Sequence, residues 1–447
     1  MSSSPYTPPD DLWEVNRSLQ LEEALDGAND PRWVDTGKAR GEYSLRPLYR
    51  ALGVEDAMNT SERRLEKPPD RGYHLFCGHL GCGKSTELRR IRNDLHSPDL
   101  YYVVFADAAQ DLDPNNLRYQ DILLHLAARL ARQLEDDRVS IAPVHIERLQ
   151  SWFYQRVEEQ AETREFALQV KAGMEVKAGL PFLGRVFAGI SNALKTNSTH
   201  KQVLRRTLQN YFTDFADGFN HLIQVADQAV RDSRNGKRIL FVIDGTDRLR
   251  EEDARAFFIS DVHQLKYVSG LFIYCAPIHL IYESGGVGRR FDYVFKLPMI
   301  KVANPDGSRN ETGRHAMLEM LHLRAAPQLF DEGVADQLID RSGGHPRDLL
   351  RLLKYAFTHA EHDHFDNDAA RQAVRQVASE FQRMLEPEDY ELLARIDSIS
   401  KPPPHTDRTR HLLYNLALLE YNDYYWRSHP AIRTTVAYDQ TQKQFRE

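Results

Sequence analysis

The residues best suited to chemistry lie in one octapeptide, Gly78-His79-Leu80-Gly81-Cys82-Gly83-Lys84-Ser85. It follows the apolar run Tyr73-His74-Leu75-Phe76-Cys77 and opens the helical-looking stretch Thr86-Glu87-Leu88-Arg89-Arg90-Ile91. Glycines at 78, 81 and 83 let the backbone curl so that successive N–H groups face a polyphosphate. The helix N-terminus behind them adds the positive end of its dipole. Lys84 would then reach the β- and γ-phosphates, and the Ser85 hydroxyl would ligate Mg²⁺, with Thr86 as the neighbouring alternative. A short strand before and a helix after are the context that a phosphate loop, or P-loop, requires.

A second chemical feature lies far downstream. Ile239-Leu240-Phe241-Val242-Ile243 runs straight into Asp244, the pattern in which a buried parallel strand delivers a carboxylate to Mg²⁺ or its water shell. Hydrolysis also needs a group to orient the attacking water. Gly245 follows Asp244, so Asp247 is the nearest available carboxylate, with a capping or Mg²⁺ water-shell role as its alternative. Two arginine sites complete the set. Arg289 and Arg290 precede a final strand, where a guanidinium suits a phosphate in a neighbouring subunit. Arg347 stands just after Pro346 in the first turn of a helix, where it could point at phosphates from a lid.

The elements that must position these groups are read from pattern and composition. With 447 residues and 41% hydrophobic content the chain has material for two or three packed domains. Its net charge of −7 argues against coating nucleic acid by bulk charge, although a local basic patch stays open. Cys77, Cys82 and Cys275 sit in or beside apolar runs without metal-ligand spacing, as reduced core thiols would. No 18-residue apolar run and no leader pattern is visible, so the expectation is a cytoplasmic protein without a membrane span.

The expected fold class is α/β, a P-loop parallel sheet core with a long helical insertion, a helical lid and a C-terminal winged-helix-like domain. Residues 1–70 read as an N-terminal arm, 71–300 as the core, 301–380 as the lid and 381–447 as the terminal domain. Within the arm, the segment from Arg32 to Gly41 carries an aromatic and arginines that suit contact with an adenine or a neighbouring subunit, or simple packing on the core. Leu100–Asp107 and Leu271–Pro277 read as strands, and about 115–232 as a helical insertion with Ile122, Leu123, Leu126, Leu130 and Leu134 on one stripe. The apolar, glycine-rich stretch 178–190 inside the insertion reads as core packing or a mobile loop, with a membrane-contacting or effector-binding hairpin as its alternative. His359 to His364 reads as a polar helix end rather than a metal site. The terminal helices, followed by a turn at Tyr421–Arg427, have nearly balanced charge, which favours protein contact over DNA.

Together, Gly78–Ser85, Asp244-Gly245-Thr246-Asp247 and Gly343-Gly344-His345-Pro346-Arg347 resemble the AAA+/STAND side of the P-loop ATPases. The resemblance implies an ATP/ADP- and Mg²⁺-dependent ATPase with Arg347 as the lid's phosphate sensor. Gly288–Asp292 resembles the Gly-Arg-Phe-Asp-Arg stretch of AAA+ proteins, with an additional arginine before Phe291 and Tyr293 in the last position; Arg290 is its candidate finger. It further implies a nucleotide-driven switch that self-assembles as a homo-oligomer and controls a protein effector, in bacterial signalling or anti-phage defence. The alternative is a DNA-acting initiator or transposition regulator that uses the terminal domain.

Overall fold

The strands most buried in the molecule are also those with the longest apolar runs, as expected where helices cover both faces of a parallel sheet. The computed structural model describes residues 6–41, 43–56, 63–113, 116–147, 199–283, 286–398, 402–422 and 425–444. The stretch 178–190 lies outside the described residues. The strands are β1 (Val54–Asp56), β2 (Arg63–Leu65), β3 (Gly72–Gly78), β4 (Tyr101–Asp107), β5 (Arg238–Asp244), β6 (Leu271–Pro277), β7 (Tyr293–Lys296), β8 (Leu418–Asn422) and β9 (Tyr425–Ser428). Five of them form the central sheet, in the order β4-β5-β6-β3-β7. All its pairings are parallel, so the fold is α/β with a P-loop core.

Register decides where the site falls. Gly78 of β3 pairs with Pro277 of β6, and Asp107 of β4 pairs with Asp244 of β5. The carboxyl ends of these strands therefore form one row, the edge at which open α/β sheets bind ligands. Alternation along β3 sends Leu75 and Cys77 to one core and Phe76 to the other. The first core is closed by the helices Tyr119–Asp136 and Phe212–Asp232, and stacked rings of Phe241 and Phe272, 5.0 Å apart, run through it. The second lies under the P-loop helix Lys84–Leu95 and the arm helix Arg46–Ala51. Tyr119–Asp136, Thr199–Asn210 and Phe212–Asp232 bear out the helical reading of the described parts of the insertion.

The lid consists of the helices Glu311–His322, Val334–Ser342 and Pro346–His359. The helix Asn367–Met384 runs straight through position 380/381, where a domain boundary was expected, because Ala378 and Phe381 continue its buried stripe. Lid, terminal helices Pro387–Ser398 and Asp407–Tyr414, and the arm helix Leu12–Ser18 share one apolar cluster. The antiparallel β8–β9 hairpin follows those helices and is seated on the core: Leu419, Tyr421 and Tyr425 pack in the cluster that holds Phe76 and Cys82. Among the described residues, no helix is long and apolar enough to cross a membrane.

Candidate nucleotide-binding site

The loop between β3 and its helix has the backbone that the glycines imply. Gly81 and Gly83 adopt φ of +84° and +107°, in the left-handed region, and Lys84 begins the helix. L-residues with side chains rarely adopt those angles, so glycine there is a backbone requirement.

Lys84 is almost fully buried. Its Nζ donates to the carbonyls of Gly78 at 2.9 Å and His79 at 2.6 Å, and it pairs with Asp247 Oδ2 at 2.7 Å. Burial pulls the lysine pKa down, but the Asp247 carboxylate outweighs it and holds the pKa above its ordinary value. For Asp247 the same pairing overcomes burial and keeps the carboxyl below the usual range. Asp247 is thus a counter-ion to Lys84 in this structure, a role that neither sequence reading had assigned to it.

Ser85 Oγ donates to Asp244 Oδ1 at 3.0 Å, and the Gly245 N–H donates to the same oxygen at 2.8 Å. Burial, with the nearby Asp247 and Asp107 carboxylates, pushes Asp244 up to about 6. That crowding of negative charge is what a divalent cation relieves. Ligand atoms of Asp244, Asp247 and Cys275 lie within 4.8 Å of one another. The Cys275 thiol is held protonated by burial and by both aspartates, and a soft sulfur is a poor partner for Mg²⁺. The donors that fit Mg²⁺ are therefore the Ser85 and Asp244 oxygens. Thr86 is committed elsewhere, its Oγ1 accepting the Leu25 N–H at 3.2 Å.

The arm and lid close over this row. Residues from Gln20 to Leu25, the phosphate loop, Asp247, Arg248, Met320 and Arg347 line one cleft of about 920 Å³ of empty space. Arg347 lies in the first turn of the helix Pro346–His359 and lines this cleft. The lid turn before it is set by Gly343 and Gly344, at φ of +61° and +76°, with Pro346 at the first helical position. A Cβ on Gly81 would lie 2.9 Å from Arg347 Cβ, so the lid touches the phosphate loop directly. The Arg347 guanidinium donates to the Leu21 carbonyl at 3.2 Å and pairs with Glu22 at 3.4 Å. Glu22 also holds Arg248 at 2.9 Å.

Arg290 is not brought to this site. It precedes β7 at the amino end of the sheet, where its carbonyl accepts from Lys266 at 2.6 Å, and Gly78 is at the opposite end. Cys82 is fully buried, its carbonyl taken by Arg40 at 2.8 Å, as suits a small packed loop residue. Arg40 also donates to Thr36 Oγ1 at 2.9 Å and to the Pro298 carbonyl. Its segment carried a signal in the sequence, an aromatic with arginines, but not its target, the underside of the loop. Glu22 and Arg248 carried no signal beyond Arg248 standing next to Asp247.

No family model and no curated protein matches the chain. Among solved structures, it is similar to a Walker-type ATPase of Pyrococcus abyssi, at 11% identity and a TM-score of 0.38 over 95% of this chain and 100% of that one. It is similar to Cdc6p from Pyrobaculum aerophilum at 12% identity and a TM-score of 0.33, over 90% and 93% of the two chains. The RuvB Holliday junction branch migration motor of Thermotoga maritima has 13% identity and a TM-score of 0.29, over 83% and 86%. At these values the α/β P-loop core rests on the strand order, register and loop geometry of this chain itself.

Proposed function

We propose that the chain is an Mg²⁺-dependent, ATP-binding and ATP-hydrolysing switch of the AAA+/STAND kind, in which nucleotide state sets how lid and C-terminal unit sit on the core. The observation that carries this reading is the convergence of three separate segments on one cleft: Lys84 and Ser85 from the loop, Asp244 and Asp247 from β5 and its turn, and Arg347 from the lid. Lys84 and Arg347 are each held by a carboxylate, Asp247 and Glu22. A polyphosphate would compete for both cations at once. Because one belongs to the core and the other to the lid, closed and open arrangements would bind it with different affinities, which is what shifts a population.

In this reading Mg²⁺, when bound, would supply neutralisation of phosphate charge. Ser85 and Asp244 would hold it, Lys84 would stabilise the β- and γ-phosphates, and Asp247, once released from Lys84, would be free to orient water. Arg290 would act only across an interface to a second copy. The β8–β9 hairpin, with Glu420, Tyr421, Tyr425 and Trp426 all buried, favours regulated protein contact over a constitutively exposed DNA-binding wing. A partner effector follows from the lack of any further catalytic constellation in the sequence reading.

The test is the solution mass of the purified protein in ADP and in a slowly hydrolysed ATP analogue, with Lys84→Ala alongside. Assembly in the analogue alone, absent in the variant, supports the switch. A mass indifferent to nucleotide overturns switching by assembly, and salt-sensitive binding to duplex DNA would then move the DNA-acting reading ahead.

A further inference from the structure

The C-terminal unit reaches the phosphate loop at two successive residues. His79, second in the loop and fully buried, accepts the Glu420 N–H of β8 on its Nε2 at 2.8 Å. Leu80, the next residue, is reached through the lid: its carbonyl accepts from His345 Nε2 at 2.8 Å. His345 Nδ1 accepts the Asp348 N–H at 3.1 Å, and the Asp348 carboxylate lies 3.3 Å from the same ring. His429, just beyond β9, donates from Nε2 to Asp348 Oδ2 at 3.0 Å, while its Nδ1 accepts the Ala431 N–H at 3.2 Å.

One tautomer for each ring, with the proton on Nε2, satisfies all four of the ring-nitrogen bonds of His345 and His429. All three residues of this chain of contacts are within 1% of full burial. The second Asp348 oxygen, Oδ1, makes no hydrogen bond and faces Arg351 Nε across 3.6 Å, so Oδ2 carries the side-chain bond of Asp348, and losing it would leave that buried carboxylate without a hydrogen bond. The proximal loop bonds tie it to catalytic chemistry. The His79 carbonyl holds Lys84 Nζ, and a Cβ on Gly81 would lie 2.9 Å from His345 Cε1.

We propose that His345, Asp348 and His429 form a buried positioning relay through which seating of the C-terminal hairpin fixes the Leu80 carbonyl and, with His79, the shape of the phosphate loop. The inference rests on the nucleotide-switch reading for its purpose, but its geometry does not. The relay gives the switch its wiring: undocking the hairpin removes the His429 bond from Asp348, loosens His345, and frees the loop at Leu80. In the reverse direction, a loop held by phosphates holds the hairpin.

The experiment is amide hydrogen exchange on the full chain without nucleotide, comparing wild type with His429→Phe. Phenylalanine keeps the ring packing against Phe381, whose centroid lies 4.8 Å from that of His429, but removes both hydrogen bonds. Exchange of the amides of residues 79–83 is expected to rise roughly tenfold, in step with that of 418–431, as for loss of a hydrogen bond to a charged group. Tyr438→Phe, which removes a bond to Asp397 within the same unit, should leave the loop amides unchanged. Faster exchange of the hairpin with an unchanged loop overturns the relay.

Should His429→Phe fail to fold, wild type supplies the converse. ADP should slow exchange at the Glu420 and Ala431 amides as well as in the loop, and slowing confined to the loop overturns the relay. If ADP protects no amide anywhere, the nucleotide reading fails, and His429→Asn, which is too short to reach Asp348 but keeps an acceptor beside the Ala431 N–H, then decides the relay without nucleotide: unchanged exchange at 79–83 overturns it.

Discussion

Asp247→Asn separates the two roles open to this carboxylate, counter-ion and orienter of water. Without nucleotide, Lys84 Nζ lies 2.7 Å from Asp247, with both side chains nearly out of water. Removing one partner of a buried pair leaves an uncompensated charge, at a cost of about 3–5 kcal/mol. The Gly78 and His79 carbonyls stay bonded to the ammonium, which places the variant near the lower end, about 3 kcal/mol. Phosphate supplies the missing negative charge, so the penalty disappears on binding and reappears as affinity. An affinity gain of that size is roughly 100-fold in Kd, and roughly tenfold if Asp247 keeps half its interaction with Lys84 when nucleotide is bound.

The assay is calorimetric titration of ADP into wild type and variant without Mg²⁺, with urea unfolding of each nucleotide-free protein beside it. Tighter binding, lower nucleotide-free stability and slower ATP turnover are expected together. An unchanged or weaker affinity with unchanged stability would refute the reasoning, because Asp247 would then not be the charge that Lys84 exchanges for phosphate.

Further outcomes follow from the same geometry. Lys84→Ala should abolish ATP turnover and leave Asp247 buried without its cation, lowering stability by about 3 kcal/mol in urea unfolding. Arg40→Lys cannot reproduce a fork that reaches Thr36, Cys82 and Pro298 at once; nucleotide affinity should fall by roughly tenfold, read by the same titration. Gly344→Ala would set a Cβ 1.9 Å from the Ile300 carbonyl at a φ of +76°, so thermal unfolding should begin earlier. Burial holds His74 and His279 at about 4, and burial with the Lys84 charge holds His79 at about 3. The unfolded chain takes up these protons below about pH 6.5 and the folded chain does not, so stability is lost as pH falls. At pH 5 the loss is about 2 kcal/mol for each of the three, and a urea midpoint equal at pH 5 and 7 would contradict it.

Much of the core was legible because its signals are local. Glycine at 81 and 83 is demanded by the loop's own backbone, and five apolar residues running into Asp244 describe a buried strand without reference to any neighbour. The Gly343-Gly344-His345-Pro346-Arg347 turn carries its own left-handed angles and its own helix start, so the place of Arg347 in the first turn of that helix could be read from spacing. The helix Asn367–Met384 spans position 380/381 for a local reason too: its buried stripe continues across it.

What tertiary structure alone decided is which charges meet. Asp247 finds Lys84 across 163 positions of chain only because β5 and the loop end on the same edge of the sheet. Glu22 joins Arg248 and Arg347, and His429 joins Asp348, through packing of arm, lid and hairpin that no local pattern encodes. Propensity and periodicity act over a few residues, whereas a buried ion pair or histidine bond is set by the register of whole layers. The sequence by itself therefore determined the phosphate loop, its acid and its lid arginine. Only the folded chain decided the counter-ions of Lys84 and Arg347 and the buried contacts that tie the loop to the C-terminal unit.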